Sequence, residues 1–116
     1  MNRVEPSLDP DRAREELDRL RDAIDRVDEV IVKLLNQRAR YAIEIGEMKG
    51  LLRMDIYLPE REKEVLANVE RSSAGPLDGL SMRRLFERII DESRRCERES
   101  AMGKSGREPM KEKGRD

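Results

Sequence analysis

A chain of 116 residues has room for one domain, whose core is modest if it stands alone. Charged residues at 44% against aromatics at 3% are the balance of long helices rather than sheets, so the expected class is all-α. A net charge of -1 argues against a bulk basic field for nucleic acid or anionic lipid, and a single cysteine, Cys96, with no histidine argues against an intramolecular disulfide, a structural metal and histidine-based catalysis.

Residues 1–8 read as a flexible N-terminus without the apolar stretch of a secretory signal, and no run approaches the roughly 18 apolar residues of a membrane span. The expectation is a cytoplasmic protein. Asp9-Pro10 then marks a helix start: aspartate can cap free backbone N–H groups, proline is tolerated in the first turn, and Glu15 and Glu16 suit the positive helix end. No proline follows until Pro59. Across that span Leu17, Leu20, Ile24, Val27, Ile31, Leu34, Arg38, Tyr41, Ile45, Met48 and Leu52 recur at steps of three and four, the spacing of one long amphipathic helix. From about residue 10 to 52 such a helix runs on the order of 60 Å, too long for the remaining residues to cover, so its apolar stripe asks for a second chain.

Four residues of this helix stand out from the pattern. Arg38 stands where an apolar side chain belongs, and burying a guanidinium is unfavourable unless an anion accepts its donors. Lys49, eleven residues on, falls about 20° from Arg38 around the axis, so the two could flank one small anion. The plainer alternative is that Arg38 meets a buried carboxylate or snorkels while Lys49 is a solvated cation near the helix end. Arg21 adjoins the same stripe but lies about 25 Å along the axis from Arg38, beyond one small ligand; an antiparallel second copy would bring it to the neighbouring chain's site. Gly46 is costly in mid-helix and suggests close approach by another element or a ligand.

Residues 53–58 read as a connector, and Pro59 opens a shorter helix through about Arg71, with Val65, Leu66 and Val69 on one side and Arg61 and Glu62 in its first turn. Carboxylates there are also ordinary N-terminal charge decoration. Residues 72–76, Ser-Ser-Ala-Gly-Pro, end that helix. A third runs from about Asp78 to Ala101 and carries Leu85, Phe86, Ile89, Ile90, Ser93 and Cys96 toward a core, with Glu97 one turn beyond Ser93 on the same face. Residues 9–101 are thus one helical domain, and residues 102–116, rich in glycine and charge with almost nothing apolar to bury, read as a disordered tail.

Taken together, the patterns Leu17-x-x-Leu20-Arg21-x-x-Ile24-x-x-x-Asp28, Leu34-Leu35-x-x-Arg38-x-x-x-Ala42-x-x-Ile45-Gly46-x-x-Lys49, Pro59-x-Arg61-Glu62-x-x-Val65-Leu66 and Arg84-Leu85-Phe86-x-x-Ile89-Ile90-x-x-Ser93-x-x-x-Glu97 resemble the all-helical bacterial chorismate mutase family over roughly residues 14–100. The resemblance implies an intertwined antiparallel homodimer of three-helix chains with shared active sites. It implies the cofactor-free Claisen rearrangement of chorismate to prephenate, in phenylalanine and tyrosine biosynthesis. By the same resemblance Arg38 of one chain and Arg21 of the other clamp the substrate's two carboxylates, which suits guanidinium forks and favours the compact reactive conformer. Lys49 and Glu97 face the ether oxygen, where negative charge develops, and Glu97 would serve there as a neutral donor. Glu62 accepts from the ring hydroxyl, Arg61 helps to hold the site, and Ser93 offers a polar contact to a carboxylate.

Two positions depart from the family pattern: Leu58 stands at a substrate-contact position where the family often has Asp, and Glu97 stands where several relatives have Gln. An isochorismate-pyruvate lyase resembles the same fold, but its connector carries a further lysine where residues 50–58 here offer only Arg53 as a cation. A non-enzymatic dimeric adaptor would explain the stripe, with Arg38 setting register, but not Lys49, Glu62 and Glu97 together. Nothing in the sequence identifies a partner enzyme of aromatic biosynthesis.

Overall fold

The structure, a computed structural model, describes residues 9–106. Three α-helices follow one another, α1 (Pro10–Leu52), α2 (Pro59–Ser72) and α3 (Gly79–Gly106), and among the described residues there is no strand. The all-α reading holds. The expected flexible N-terminus and residues 107–116 of the expected tail lie outside the described residues. No helix is long and apolar enough to cross a membrane.

The chain divides into two units, one ending at Leu35 and the other beginning at Asn36. In the first, α1 starts as its sequence dictates. The Asp9 carboxylate accepts from the Arg12 N–H at 2.8 Å, its carbonyl accepts from the Ala13 N–H at 2.9 Å, and Pro10 occupies the first helical position, where a missing N–H costs nothing. Solvated pairs such as Arg19 with Glu16 at 2.8 Å decorate its polar face and contribute little to stability. The apolar face is uncovered within the chain: Leu17, Leu20, Ile24, Val27, Ile31 and Leu34 are all more than two-fifths exposed, and α1 contains no buried residue.

The second unit holds the end of α1 and the pair α2 and α3. Helix α1 closes with a Schellman turn. The Arg53 N–H bonds the Gly50 carbonyl at 3.2 Å and the Met54 N–H bonds the Lys49 carbonyl at 2.8 Å, with Arg53 in the left-handed region at φ 59°. Glycine usually fills that position, and an arginine there accepts a cost of order 1 kcal/mol. The connector reaches Leu58, whose carbonyl accepts from the Arg61 and Glu62 N–H groups as α2 begins behind Pro59. Asp78 caps α3 by accepting from the Ser81 N–H at 2.8 Å. Gly79 permits the close approach of α2 to α3, since a Cβ there would stand 3.2 Å from the Glu70 carbonyl oxygen. An ion pair of Arg83 with Glu70 at 2.8 Å fastens the same corner.

Among the described residues of this unit, Leu66, Ile90, Ser93 and Glu97 are buried. Two of the four are polar, which is unusual enough to mark where the site lies. Two expectations are corrected. Leu85 is about half exposed rather than turned to the core, because it lies some 140° around the axis from Ile90. Helix α3 continues to Gly106 rather than ending at Ala101, so residues 102–106, assigned to the tail from sequence, are helical. A single interior glycine costs about 1 kcal/mol, which an established helix can carry through Gly103.

Candidate active site

The C-terminal part of α1 supplies Arg38, Ala42, Ile45 and Lys49 at helical spacing, the connector and first turn of α2 supply Ile56, Leu58, Arg61 and Glu62, and α3 supplies Ile90, Ser93, Arg94 and Glu97. Together they line a cavity of about 540 Å³. Seven of the eight sequence-selected residues, Arg38, Lys49, Leu58, Arg61, Glu62, Ser93 and Glu97, are gathered there. The eighth, Arg21, is exposed on the N-terminal stretch of α1 and is not part of the lining.

Arg38 donates from Nη1 to Ser93 Oγ at 2.8 Å. Among the described residues it therefore meets a buried hydroxyl rather than a carboxylate, which decides against one of the plainer readings of its sequence position. Burial, and after it the charge of Arg61, pull the Arg38 guanidinium below its ordinary value. Both causes disfavour the cation, and the charge of an incoming anion would offset them. Lys49 donates from Nζ to the Ile56 carbonyl at 2.7 Å, and so ties the end of α1 to the connector.

Glu97 is the most buried polar side chain, 6% exposed. Its Oε2 lies 3.2 Å from Lys49 Nζ, close enough for an ion pair, yet it accepts no hydrogen bond. The two observations are compatible: the charges attract at that distance while the direction is wrong for a shared proton. A buried oxygen without a hydrogen-bond partner, in a residue that lines the cavity, marks this position as one to explain by function. Gly46 creates the space for it. A Cβ at that position would stand 2.6 Å from Glu97 Cγ, so the close approach read from the sequence is that of the Glu97 side chain.

Glu62 of α2 pairs with Arg94 of α3, whose guanidinium also donates to Asp91 at 2.9 Å and lies 4.8 Å from the centre of the Tyr57 ring. Arg61 turns its charge toward solvent, donating to Glu64 at 2.6 Å, with both side chains more than three-fifths exposed. Arg94 and the Ile56 carbonyl are the two site groups that sequence reasoning missed. A backbone acceptor leaves no signature in sequence. Arg94 had one: it is four residues after Ile90 and three before Glu97, on the same helical face. The lining carries the cations Arg38, Lys49, Arg61 and Arg94 against the carboxylates Glu62 and Glu97, a surplus of positive charge that fits a small dianion.

Comparison with known proteins identifies relatives of this chain. The family described as "Chorismate mutase type II" matches residues 20–98. Over 78 residues the chain is 44% identical to the bifunctional chorismate mutase/prephenate dehydratase of Neisseria gonorrhoeae, a match that covers 67% of this chain and 21% of that protein. The chain thus spans about a fifth of the length of that relative. It is 33% identical over 95 residues to the 4-amino-4-deoxychorismate mutase of Streptomyces pristinaespiralis, covering 81% of this chain and 74% of that one. Its fold matches the crystal structure of chorismate mutase from Helicobacter pylori in complex with prephenate with a TM-score of 0.70 at 26% identity, over 76% of this chain and 96% of the other. By sequence and fold, the chain belongs to the type II chorismate mutase family.

Proposed function

We propose that this protein is a chorismate mutase that rearranges chorismate to prephenate and works as a homodimer with shared sites. The observation that carries the reading is the meeting of Arg38, Lys49 and Glu97 around one cavity, with Gly46 making room for the last of them. The reaction is an intramolecular Claisen rearrangement: an ether C–O bond breaks, a C–C bond forms, and no proton need change hands. Catalysis then consists of holding the substrate in its compact conformer and stabilising the charge that appears on the ether oxygen.

Arg38, fixed by Ser93, takes one carboxylate in a two-pronged contact. Lys49, held by the Ile56 carbonyl and beside Glu97, turns a remaining N–H of its ammonium to the ether oxygen, and it adds more stabilisation as charge accumulates there than in the ground state. Glu97 approaches the same oxygen and acts as a donor when its carboxyl is protonated, because a carboxylate would repel the developing charge. Glu62 accepts from the ring hydroxyl, and Leu58 forms an apolar wall beside it.

The second carboxylate is left to Arg21 of a second copy. Support comes from the length of α1 and from the row of uncovered apolar side chains between Leu17 and Leu34, a seam that an antiparallel copy would bury. The deciding experiment follows chorismate by ultraviolet absorbance with purified protein and identifies the product. Prephenate supports the mutase, pyruvate release would convert the reading to a lyase, and an unchanged substrate would leave a helical dimer without this chemistry.

A further inference from the structure

We propose that Arg94 sets the selectivity of this site, directing it to a substrate whose ring carries a neutral hydroxyl and away from one whose ring carries an ammonium at the same position. The inference rests on the mutase reading, in which Glu62 meets that substituent, and goes beyond it by assigning a residue that the rearrangement itself does not require.

The argument begins with what Glu62 would do alone. A carboxylate in the first turn of a helix, on the wall of a partly buried cavity, is an attractive site for any cation. It would hold an amine more tightly than an alcohol, because both can donate a hydrogen bond but only the ammonium carries charge. Arg94 changes this. Its Nη1 pairs with Glu62 Oε2, the two side chains being 20% and 27% exposed, so the carboxylate enters the cavity already neutralised. Glu62 Oε1 and the remaining lone pairs can still accept from a hydroxyl. An ammonium would find its counter-charge occupied and a guanidinium close by.

The placement of Arg94 is well fixed. Its second nitrogen donates to Asp91 at 2.9 Å, its carbon stands 4.8 Å from the Tyr57 ring centre, and its place on α3 between Ser93 and Glu97 keeps it on the cavity face. The contacts with Asp91 and Tyr57 hold it beside Glu62.

The test compares kcat/KM for chorismate and for 4-amino-4-deoxychorismate, the analogue in which an amine replaces the hydroxyl, in wild type, Arg94→Gln, Arg94→Lys and the double variant Arg94→Gln/Glu62→Gln. Wild type is expected to prefer chorismate. Arg94→Gln should shift the ratio of the two rates toward the amine by about tenfold or more, Arg94→Lys should keep the wild-type ratio, and Glu62→Gln should cancel the shift. A residue that served only to support the fold would lower both rates together and leave their ratio alone. A ratio unmoved by Arg94→Gln would overturn the assignment while leaving the mutase reading intact. So would a wild-type protein that prefers the amine, a result that needs no variant to fold. Failure of wild type to turn over either compound would instead remove the mutase reading, and this assignment with it.

Discussion

A methyl group added at Gly46 would stand 2.6 Å from Cγ of Glu97, 3.3 Å from its Cδ and 3.2 Å from its Oε2. Carbon atoms pack at about 3.5–4.0 Å, so Gly46→Ala requires a shift of roughly 1 Å. Cγ is the first atom beyond Cβ and cannot swing aside as a chain end would. Relief must come from rotation about the Cα–Cβ bond of Glu97, which carries the carboxyl away from Lys49, or from movement of α3 itself. Alanine meanwhile improves the helix by about 1 kcal/mol over glycine. The two effects have opposite signs in different measurements: the melting temperature should change little, while a catalytic group displaced by about 1 Å should lower kcat on the order of a hundredfold. Gly50→Ala is the control, because nothing lies within 4 Å of a Cβ there on the same helix. It should leave turnover unaltered. Thermal melts and prephenate formation measured on the three proteins decide the matter. If Gly46→Ala retained activity within about threefold of wild type, Glu97 would not need its present position and the reasoning would fail.

Two further outcomes are expected. Arg21→Ala and Lys49→Ala should each be nearly inactive alone, but unfolding and refolding them together should restore activity, since a mixed dimer contains one site with both defects and one intact site; a mixture as inactive as its parents despite demonstrated subunit exchange would remove Arg21 from the shared site. At the start of α3 the Ser81 backbone N–H, and then the Ser81 side chain, hold the Asp78 carboxyl below its ordinary value. A depressed carboxyl contributes stability above its unfolded value and loses it as pH falls through the folded one, so the gap in melting temperature between wild type and Asp78→Ala should be full at pH 7 and narrow in acid; a gap constant with pH would contradict the capping assignment.

Much of this architecture was legible in the sequence because helices announce themselves twice, by the period of their apolar residues and by their caps. Asp9-Pro10, Pro59 and the Ser72–Pro76 break placed α1 and α2 closely. The far end of α3 was not legible, since Gly103 looks like a stop and only the helix already formed before it shows otherwise. The site was legible where a residue broke a pattern: an arginine in an apolar stripe and a glycine in mid-helix are both costly, and each proved to face α3, at Ser93 and Glu97. Arg94 broke no pattern. In a chain so rich in charge, an arginine among arginines is marked only by its place on the face of Ile90 and Glu97, and its role emerges with its partner, 32 residues away in sequence.

Lys49 also stands at the bend of the chain. Its carbonyl receives the Met54 N–H that closes the Schellman turn, and its ammonium receives no less important a task in holding the Ile56 carbonyl. Exchange for an uncharged residue thus removes a charge from the cavity and also unlatches the loop that leads into α2, and the kinetics of such a variant record both losses together. Arginine, which keeps the charge and a donor, and methionine, which keeps the shape and neither, would separate them. The same double duty bears on how relatives are read: a chain that had abandoned the rearrangement would still be held to a lysine here by its loop, so the presence of that lysine alone is a poor sign of activity, and the arginine at position 38, which closes no turn, is the better one.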